Sequence, residues 1–248
     1  MTLILVPNTL DLASAPVPLD AVLPRAAVHA AATITHWVVE TPKVARAFLK
    51  RVDAVQPLAV PLQSLDVREL PRTRKGGTAS VPETAWDDLL APARAGKTVG
   101  LLSDAGLPGV ADPGANLVAT AHRHGVTVQV LAGPSSLTLA LAASGLNGQR
   151  FAFEGYLPQD AGERGKRIIQ LEMRSRQEGQ TQLAIETPYR NPALLDALCR
   201  TLQPTTRLAV ACGLTDERGW CRMGRVTDWR TRPLAMPVDL PAVFLWLA

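Results

Sequence analysis

The chain has 248 residues, enough for one large domain or two of ordinary size. Hydrophobic residues make up 47% and charged residues 19%, which provides for a substantial core and excludes an intrinsically disordered chain. The formal net charge of +4 is too small to indicate nucleic-acid binding by itself, and no apolar run approaches the roughly 18 residues that a membrane span needs.

The start of the chain and its cysteines indicate a cytoplasmic protein. Residues 1–6 have no basic segment before their short apolar run, so they predict a first β-strand rather than a signal peptide. The three cysteines, Cys199, Cys212 and Cys221, are odd in number and lack metal-ligand spacing, which fits reduced thiols. We expect no bound metal, because the histidines do not cluster with these cysteines.

Short apolar runs alternate with longer helix-like segments, a pattern that predicts an α/β fold. Thr41 and Pro42 favour a helix start, and Ser80 and Glu83 have the spacing of a capping box. The predicted strands cover residues 3–6, 36–40, 98–102, 126–131, 151–158, 183–185, 207–212 and 240–247. The predicted helices cover residues 24–32, 41–52, 80–94, 113–124, 137–144, 162–179 and 191–202.

Two segments lack a clear period. Residues 57–79 predict a basic loop, which is either a solvated surface loop or one that grips an anionic substrate. Its cations are Arg68, Arg72, Arg74 and Lys75. The arginine-rich residues 218–232 predict a series of turns.

A glycine- and proline-rich segment, Ser103–Gly114, follows the predicted buried strand 98–102. It holds three glycines, two prolines and the carboxylates Asp104 and Asp112. Ligands bind outside the carboxyl ends of strands in an open α/β sheet, so the segment predicts a small-molecule site. The alternative is an ordinary strand-to-helix loop, in which Asp112 and Pro113 open the next helix.

A second loop, residues 132–136, precedes a strongly apolar helix. Its hydroxyls and free amides at a helix N-terminus suit a polar ligand. Simple N-capping by Ser135 or Ser136 is the alternative.

Four blocks in fixed order carry a resemblance to a known family. Ser103–Gly114 matches the signature S-D-A-G-x-P-x-x-x-D-P-G, and residues 132–146 resemble the block P-G-P-S-A followed by S-G-L. Phe151–Pro158 resembles F-x-F-x-G-F-L-P, and Glu186–Arg190 resembles the segment Y-E-S-P-H-R. The chain therefore resembles the ribosomal RNA small subunit methyltransferase I family, within the tetrapyrrole methylase superfamily.

This resemblance implies two α/β domains of the tetrapyrrole methylase type, here residues 1–131 and 132–248, with a cofactor cleft between them. It also implies a homodimer and the cofactor S-adenosyl-L-methionine. The residues that it places at the cofactor are Ser103, Asp104, Ala105, Gly106, Val110, Ala111, Asp112, Pro134, Ser135, Ser136, Phe153 and Leu157. It identifies neither a metal site nor a catalytic base, and it favours cofactor-shaping or helix-capping roles for Asp104 and Asp112.

The implied activity is methyl transfer to a ribose 2′-hydroxyl of small-subunit ribosomal RNA. The basic loop and the arginines of helix 162–179 would then contact phosphates. Two alternatives are methylation of a tetrapyrrole or other small molecule, and a non-catalytic module that binds the cofactor or RNA.

Several segments depart from the family. Val6–Leu12 lacks both glycines of the family's opening segment, and Glu40–Lys43 keeps only the acid of its E-D-T-R motif. We expect such changed segments near the acceptor, so the sequence supports the cofactor better than the substrate.

Overall fold

The computed structural model describes residues 1–11, 17–71 and 81–248. These residues form two compact units, the first ending at Ser135 and the second running from Ser136 to Ala248. Within these ranges, no helix has the length and apolar character that crossing a membrane requires. Outside them lie the predicted basic residues Arg72, Arg74 and Lys75 and the predicted capping residue Ser80.

The described part of the first unit contains a five-stranded sheet in which every pair of neighbours is parallel. The strands are β1 (Thr2–Leu5), β2 (His36–Val39), β3 (Asp66–Glu69), β4 (Thr98–Leu102) and β5 (Thr127–Val130). Their order is β3-β2-β4-β1-β5. The helices are α1 (Leu19–Val22), α2 (Arg25–Thr33), α3 (Pro42–Val55), α4 (Glu83–Arg94) and α5 (Ala115–Arg123).

Helices cover both faces of this sheet. On β2, Trp37 and Val39 join the core that α1, α2 and α3 share, whereas Val38 joins the core that α4 and α5 share. Successive side chains of a strand point to opposite faces, so one apolar run supplies both cores. This explains why the interior strands β1, β2 and β4 are mainly apolar.

The described residues of the second unit form a mixed sheet with the order β6-β7-β10-β8-β9. Only β6 and β7 pair in parallel, and the other neighbours are antiparallel. The strands are β6 (Phe151–Tyr156), β7 (Thr181–Glu186), β8 (Arg207–Cys212), β9 (Trp220–Arg225) and β10 (Ala242–Leu247). The helices are α6 (Ser136–Ser144), α7 (Ala161–Glu178), α8 (Asn191–Thr201) and α9 (Val226–Thr231).

The second sheet also separates two cores. Phe244 and Trp246 of β10 pack with α7, α8 and α9, whereas Val243 and Leu245 pack with α6. Helix α7 begins at a capped end, where Asp160 Oδ1 accepts the backbone amide of Glu163 at 2.9 Å.

Three predictions from the sequence were wrong. Helix α5 begins at Ala115 and not at Pro113, because Gly114 occupies the N-cap position with a φ of 136°, so Asp112 does not cap the helix. Arg68 lies on β3, not in a loop, and pairs with Asp66 at 2.9 Å. Residues 218–232 contain β9 and α9 where turns were expected.

Candidate functional site

The carboxyl ends of three parallel strands lie side by side in the first sheet. The neighbours β2, β4 and β1 lead into Glu40, Ser103 and Asn8, respectively. The chain leaves β1 towards the helices of one face and leaves β4 towards α5 on the other face. Adjacent strands whose connections take opposite faces form a topological switch point, where ligand crevices open in α/β sheets. The loop Ser103–Gly114 therefore begins at the position that this fold offers to a ligand.

Four hydrogen bonds tie this loop to the end of β1. The side-chain amide of Asn8 donates to the carbonyl oxygens of Ser103 at 3.1 Å and Asp104 at 3.0 Å. The backbone amide of Asn8 donates to Gly106 O at 2.8 Å, and the Gly106 amide donates to Thr9 O at 3.4 Å. Asn8 and Thr9 are each 3% exposed, so these bonds are made where an unpaired group is costly.

Asp104 ties the same loop to the end of β2. Its backbone amide donates to Glu40 Oε2 at 3.0 Å, and its Oδ2 accepts the hydroxyl of Thr41 at 2.8 Å. Its other carboxylate oxygen, Oδ1, is buried and has no hydrogen-bond partner among the described residues. A buried acceptor of this kind costs free energy until a donor reaches it. Asp104 is therefore suited to receive a donor group from a ligand.

Asp112 is a third carboxylate at this site. The pKa of Asp112 is raised to about 7, mainly by burial and further by the charges of Glu40 and Asp104. A hydrogen bond with Ser103 acts in the opposite direction and lowers this pKa. A positive ligand group would favour the ionised form of these carboxylates. Across the described ranges, no group of three or more His, Cys, Asp or Glu side chains could hold a metal ion. These three carboxylates are therefore suited to a ligand group that carries a positive charge.

The loop has a positive φ at four positions, Gly106, Gly109, Ala111 and Gly114, and two of these bear on the site. Gly106 has a φ of 62°, and a Cβ there would lie 3.3 Å from Leu10 Cδ2 and 3.5 Å from the Pro134 carbonyl oxygen. Ala111 has a φ of 64°, a conformation that costs an alanine about 1 kcal/mol. Such backbone outliers concentrate at ligand sites.

The turn that carries Pro134 also packs against the end of β1. A Cβ at Gly133 would lie only 2.1 Å from Pro7 Cβ, so this contact requires a glycine. Ser135, the next residue after Pro134, is 8% exposed. The Ser103–Gly106 segment and the 133–135 turn of the predicted cofactor set thus lie together, while Val110 and Ala111 are exposed.

The remaining predicted residues belong to the second unit. Ser136 begins α6, and Phe153 lies half-buried on β6 against the core that α6 covers. Leu157 is 4% exposed and packs in the core beneath α7 and α8. Its side chain is therefore committed to that core, and only its backbone is available to a ligand.

An ion pair supports the end of β1. Arg51 of α3 pairs with Asp11 at 3.1 Å and also donates to the Val17 carbonyl at 2.6 Å. Burial alone would raise the pKa of Asp11, but hydrogen bonds from Thr9, Arg51 and Val17 lower it overall. Asp11 therefore stays ionised and holds the Thr9 hydroxyl.

Sequence reasoning missed the parts of Asn8, Thr9 and Thr41 in this site. Thr41 lies at the N-cap position of α3, as predicted, but its hydroxyl makes no capping bond and reaches Asp104 instead. The available signal was positional, because each of these polar residues follows closely on a buried parallel strand.

Comparison with known proteins gives a family match and partial sequence relatives. Residues 26–220 match the family model for Tetrapyrrole (Corrin/Porphyrin) Methylases. Ribosomal RNA small subunit methyltransferase I of Thermotoga maritima is 41% identical over 103 residues, covering 42% of this chain and 44% of that protein. The protein of that name from Synechocystis is 39% identical over 135 residues, covering 54% of this chain and 47% of that protein. The chain thus spans less than half the length of these curated relatives.

Solved structures resemble the whole chain more distantly. Uroporphyrin-III-C-methyltransferase from Thermus thermophilus has a TM-score of 0.52 and 17% identity, covering 98% of this chain and 91% of that one. The methyltransferase CobJ has a TM-score of 0.55 and 18% identity, covering 98% and 92%. At these identities, the likeness establishes the two-unit α/β fold.

Proposed function

The chain belongs to the tetrapyrrole (corrin/porphyrin) methylase family, and from this we propose that it is a methyltransferase that uses S-adenosyl-L-methionine and acts on small-subunit ribosomal RNA. The observation that best supports binding of this cofactor is the loop Ser103–Gly114 at the switch point of the first sheet, with the unpaired Asp104 Oδ1. S-adenosyl-L-methionine carries an α-ammonium group, which can donate the hydrogen bond that Asp104 Oδ1 lacks.

The residues present fit this cofactor. Its α-ammonium group has three N–H donors and a positive charge, so Asp104 Oδ1 would accept a hydrogen bond from it, and Glu40 and Asp112 would attract its charge. The sulfonium has no N–H donor, and attraction to a charge that disappears during methyl transfer would stabilise the ground state rather than the transition state. We therefore assign these carboxylates to the amino-acid end.

The rest of the predicted set would complete the pocket. A Cβ at Gly106 would lie against Leu10 and the Pro134 carbonyl, so a larger side chain there would displace these walls of the proposed pocket. The proposed holding residues are Ser103, Asp104, Ala105, Gly106, Val110, Ala111, Asp112, Pro134 and Ser135 of the first unit and Ser136, Phe153 and Leu157 of the second. When bound, S-adenosyl-L-methionine supplies an electrophilic methyl group, and these residues would fix its orientation.

The proposed methyl acceptor, small-subunit ribosomal RNA, is inferred from the names of the relatives. Four proteins named ribosomal RNA small subunit methyltransferase I match at 35–41% identity, each over 42–54% of this chain. A ribose 2′-hydroxyl is the acceptor implied by the sequence resemblance. A cytoplasmic homodimer is part of the same proposal.

Two measurements test this function. Calorimetric titration is expected to give micromolar affinity for S-adenosyl-L-methionine, on the order of −8 kcal/mol. Purified protein with a radiolabelled methyl donor is expected to label the RNA of isolated small ribosomal subunits. Cofactor binding without label in any RNA would refute the acceptor, and labelling of a tetrapyrrole instead would identify a small-molecule enzyme. Cofactor binding with no turnover on either acceptor would indicate a binding module.

A further inference from the structure

Most of the arginines of helix α7 form hydrogen bonds or ion pairs within the second unit. Arg167 and Arg174 both pair with Glu154 of β6, at 2.7 Å and 3.2 Å, and Arg174 also pairs with Glu178. Lys166 pairs with Glu163 at 3.0 Å. These ion pairs cancel much of the charge that the sequence had assigned to phosphate contacts.

A second group of arginines surrounds helix α9. Residues 220–232 carry four arginines and one aspartate, and Arg207 of β8 lies directly opposite Arg225 of β9. We call this group the arginine collar. Its members are Arg207, Arg222, Arg225, Arg230 and Arg232.

Two guanidinium groups of the collar are fixed without losing their charge. Arg222 donates to the carbonyl oxygens of Arg232 at 2.7 Å and Asp228 at 3.1 Å, and its guanidinium lies 4.3 Å from the Trp229 ring centroid. Arg230 donates to the Cys199 carbonyl at 2.7 Å. Carbonyls and an aromatic face orient a guanidinium but carry no net negative charge, so both groups stay cationic in set positions.

Arg207 and Arg225 face each other as a like-charged pair. Their Cα atoms are register partners in the antiparallel β8–β9 ladder, and both residues are exposed. Within the described ranges, neither guanidinium forms an ion pair with an acidic side chain, and the one carboxylate bonded to Arg225, that of Asp228, accepts its backbone amide at 2.9 Å. Directly opposed like charges destabilise a sheet, and an anion between them would relieve that repulsion. The pair is therefore suited to a phosphate group.

A pocket of about 600 Å³ adjoins the collar. Arg230 and Trp229 of α9 line it, together with Leu195 and Met236 and the ion pair between Asp196 and Arg200. This volume is within the range of small-ligand pockets, and a recess with partly apolar walls beside a cation suits an unstacked nucleobase next to its phosphate.

We propose that the arginine collar and this pocket form a docking surface for single-stranded or looped RNA. The inference rests on the proposed function, because it assigns a second-unit surface to the RNA substrate. The collar would hold the phosphates, and the pocket would take a splayed base. RNA is favoured over an acidic protein because planar guanidinium groups bind phosphate oxygens bidentately, and a base-sized recess lies beside one of them, that of Arg230.

The test compares two double variants of the full chain with the same loss of charge. The first is Arg207→Gln with Arg225→Gln in the collar. The control is Lys166→Gln with Arg176→Gln, which lie exposed on α7. Binding of a fluorescein-labelled single-stranded RNA of mixed sequence is measured by anisotropy over a series of KCl concentrations. The slope of log Kobs against log [KCl] is expected to fall by about 1.4 in the collar variant, about 0.7 for each lost phosphate contact, and to stay near the parent value in the control.

Two further readouts separate the possible failures. The unfolding midpoint of the collar variant should equal or exceed that of the parent, because a repulsion has been removed, and its affinity for S-adenosyl-L-methionine should be unchanged. Equal slopes for the two variants would overturn the collar while leaving the proposed function intact. A parent chain that binds the cofactor but no RNA would refute the RNA acceptor and the collar together. If the collar variant loses binding to an acidic protein column but keeps its binding to RNA, the partner of the collar is an acidic protein and the proposal is overturned.

Discussion

Thr41 Oγ1 donates a hydrogen bond to Asp104 Oδ2 at 2.8 Å, joining the ends of β2 and β4 across 63 positions of the chain. A threonine before Pro42 would ordinarily cap helix α3, but no capping bond forms. Helix α3 therefore has no side-chain cap, and the hydroxyl instead fixes the Asp104 carboxylate in the loop Ser103–Gly114. The hydroxyl thus orients the Asp104 oxygen that is left for a ligand.

Replacement of this hydroxyl should weaken the site. In Thr41→Val the Asp104 carboxylate loses a hydrogen bond, so we expect the free energy of unfolding to fall by about 1 to 2 kcal/mol. Thr41→Ser keeps the donor and should retain most of that stability. Urea denaturation of the three proteins measures the difference. Equal losses in both variants would show that packing of the threonine methyl group, and not the hydroxyl, accounts for the effect.

Asn8 should matter more to stability than an exposed asparagine. Asn8→Ala leaves the carbonyls of Ser103 and Asp104 without the amide that holds them, so we expect a loss of about 2 kcal/mol. Asn116 lies exposed on α5 and gives a matched control, since Asn116→Ala removes the same atoms from solvent. Thermal or urea unfolding compares the two. A control variant that loses as much stability would contradict the assigned bonds.

Sequence patterns predicted the interior strands and the edge strands β5 and β6, but they missed the edge strands β3 and β9. The apolar run 207–212 predicted β8 with its observed bounds, because that strand is buried between two neighbours. Strands β3 and β9 lie at sheet edges and carry exposed charges such as Arg68 and Arg225, which mask the alternation of a strand. Exposed charge, rather than position at a sheet edge, therefore decides which strands the apolar pattern misses.

Some features of the site could be predicted from the local sequence, and others arise only from contacts between distant positions of the chain. The glycines and prolines of Ser103–Gly114 are local features, so the loop was predictable, and the superfamily resemblance is confirmed by the family match. Asn8 reaches the loop from 95 positions away, and only the strand order reveals that contact. The elevated pKa of Asp112 has the same origin, since Glu40 comes from another strand end.

A side chain at Gly106 should prevent cofactor binding beyond any effect on stability. Gly106 and Gly125 have nearly the same φ, 62° and 63°, but a Cβ at Gly106 would meet atoms within 4 Å, whereas a Cβ at Gly125 would face open space. Both Gly106→Val and Gly125→Val carry backbone strain of about 1 to 3 kcal/mol. Calorimetry should show cofactor binding abolished in the first and retained in the second. Unaltered binding by folded Gly106→Val would contradict the proposed pocket.

The stability of the protein should fall as the pH rises through the range in which Asp112 ionises. The pKa of Asp112 is raised from 3.8 to about 7 in the folded state, so the native protein binds more protons than the unfolded chain between these values. This group's contribution is complete below about pH 4 and is lost as the pH passes about 7. Because the carboxyl is partly exposed, we expect a loss of about 1 kcal/mol. Asp112→Asn should remove this component in urea denaturation at the two ends of the range, and an unchanged pH dependence would refute the shifted pKa.

The affinity for the cofactor should depend on pH through the same carboxyl. A bound ammonium favours ionised Asp112, beside the carboxylates of Glu40 and Asp104 and the hydroxyl of Ser103, so affinity should rise as the pH increases from about 6 to about 7.5. S-adenosyl-L-methionine and its demethylated product both carry the ammonium, so both should respond equally, and Asp112→Asn should remove the response for both. Calorimetry in buffers of different ionisation enthalpy should also detect a proton released on binding. A pH response confined to the methyl donor would place the sulfonium, and not the ammonium, at the carboxylates.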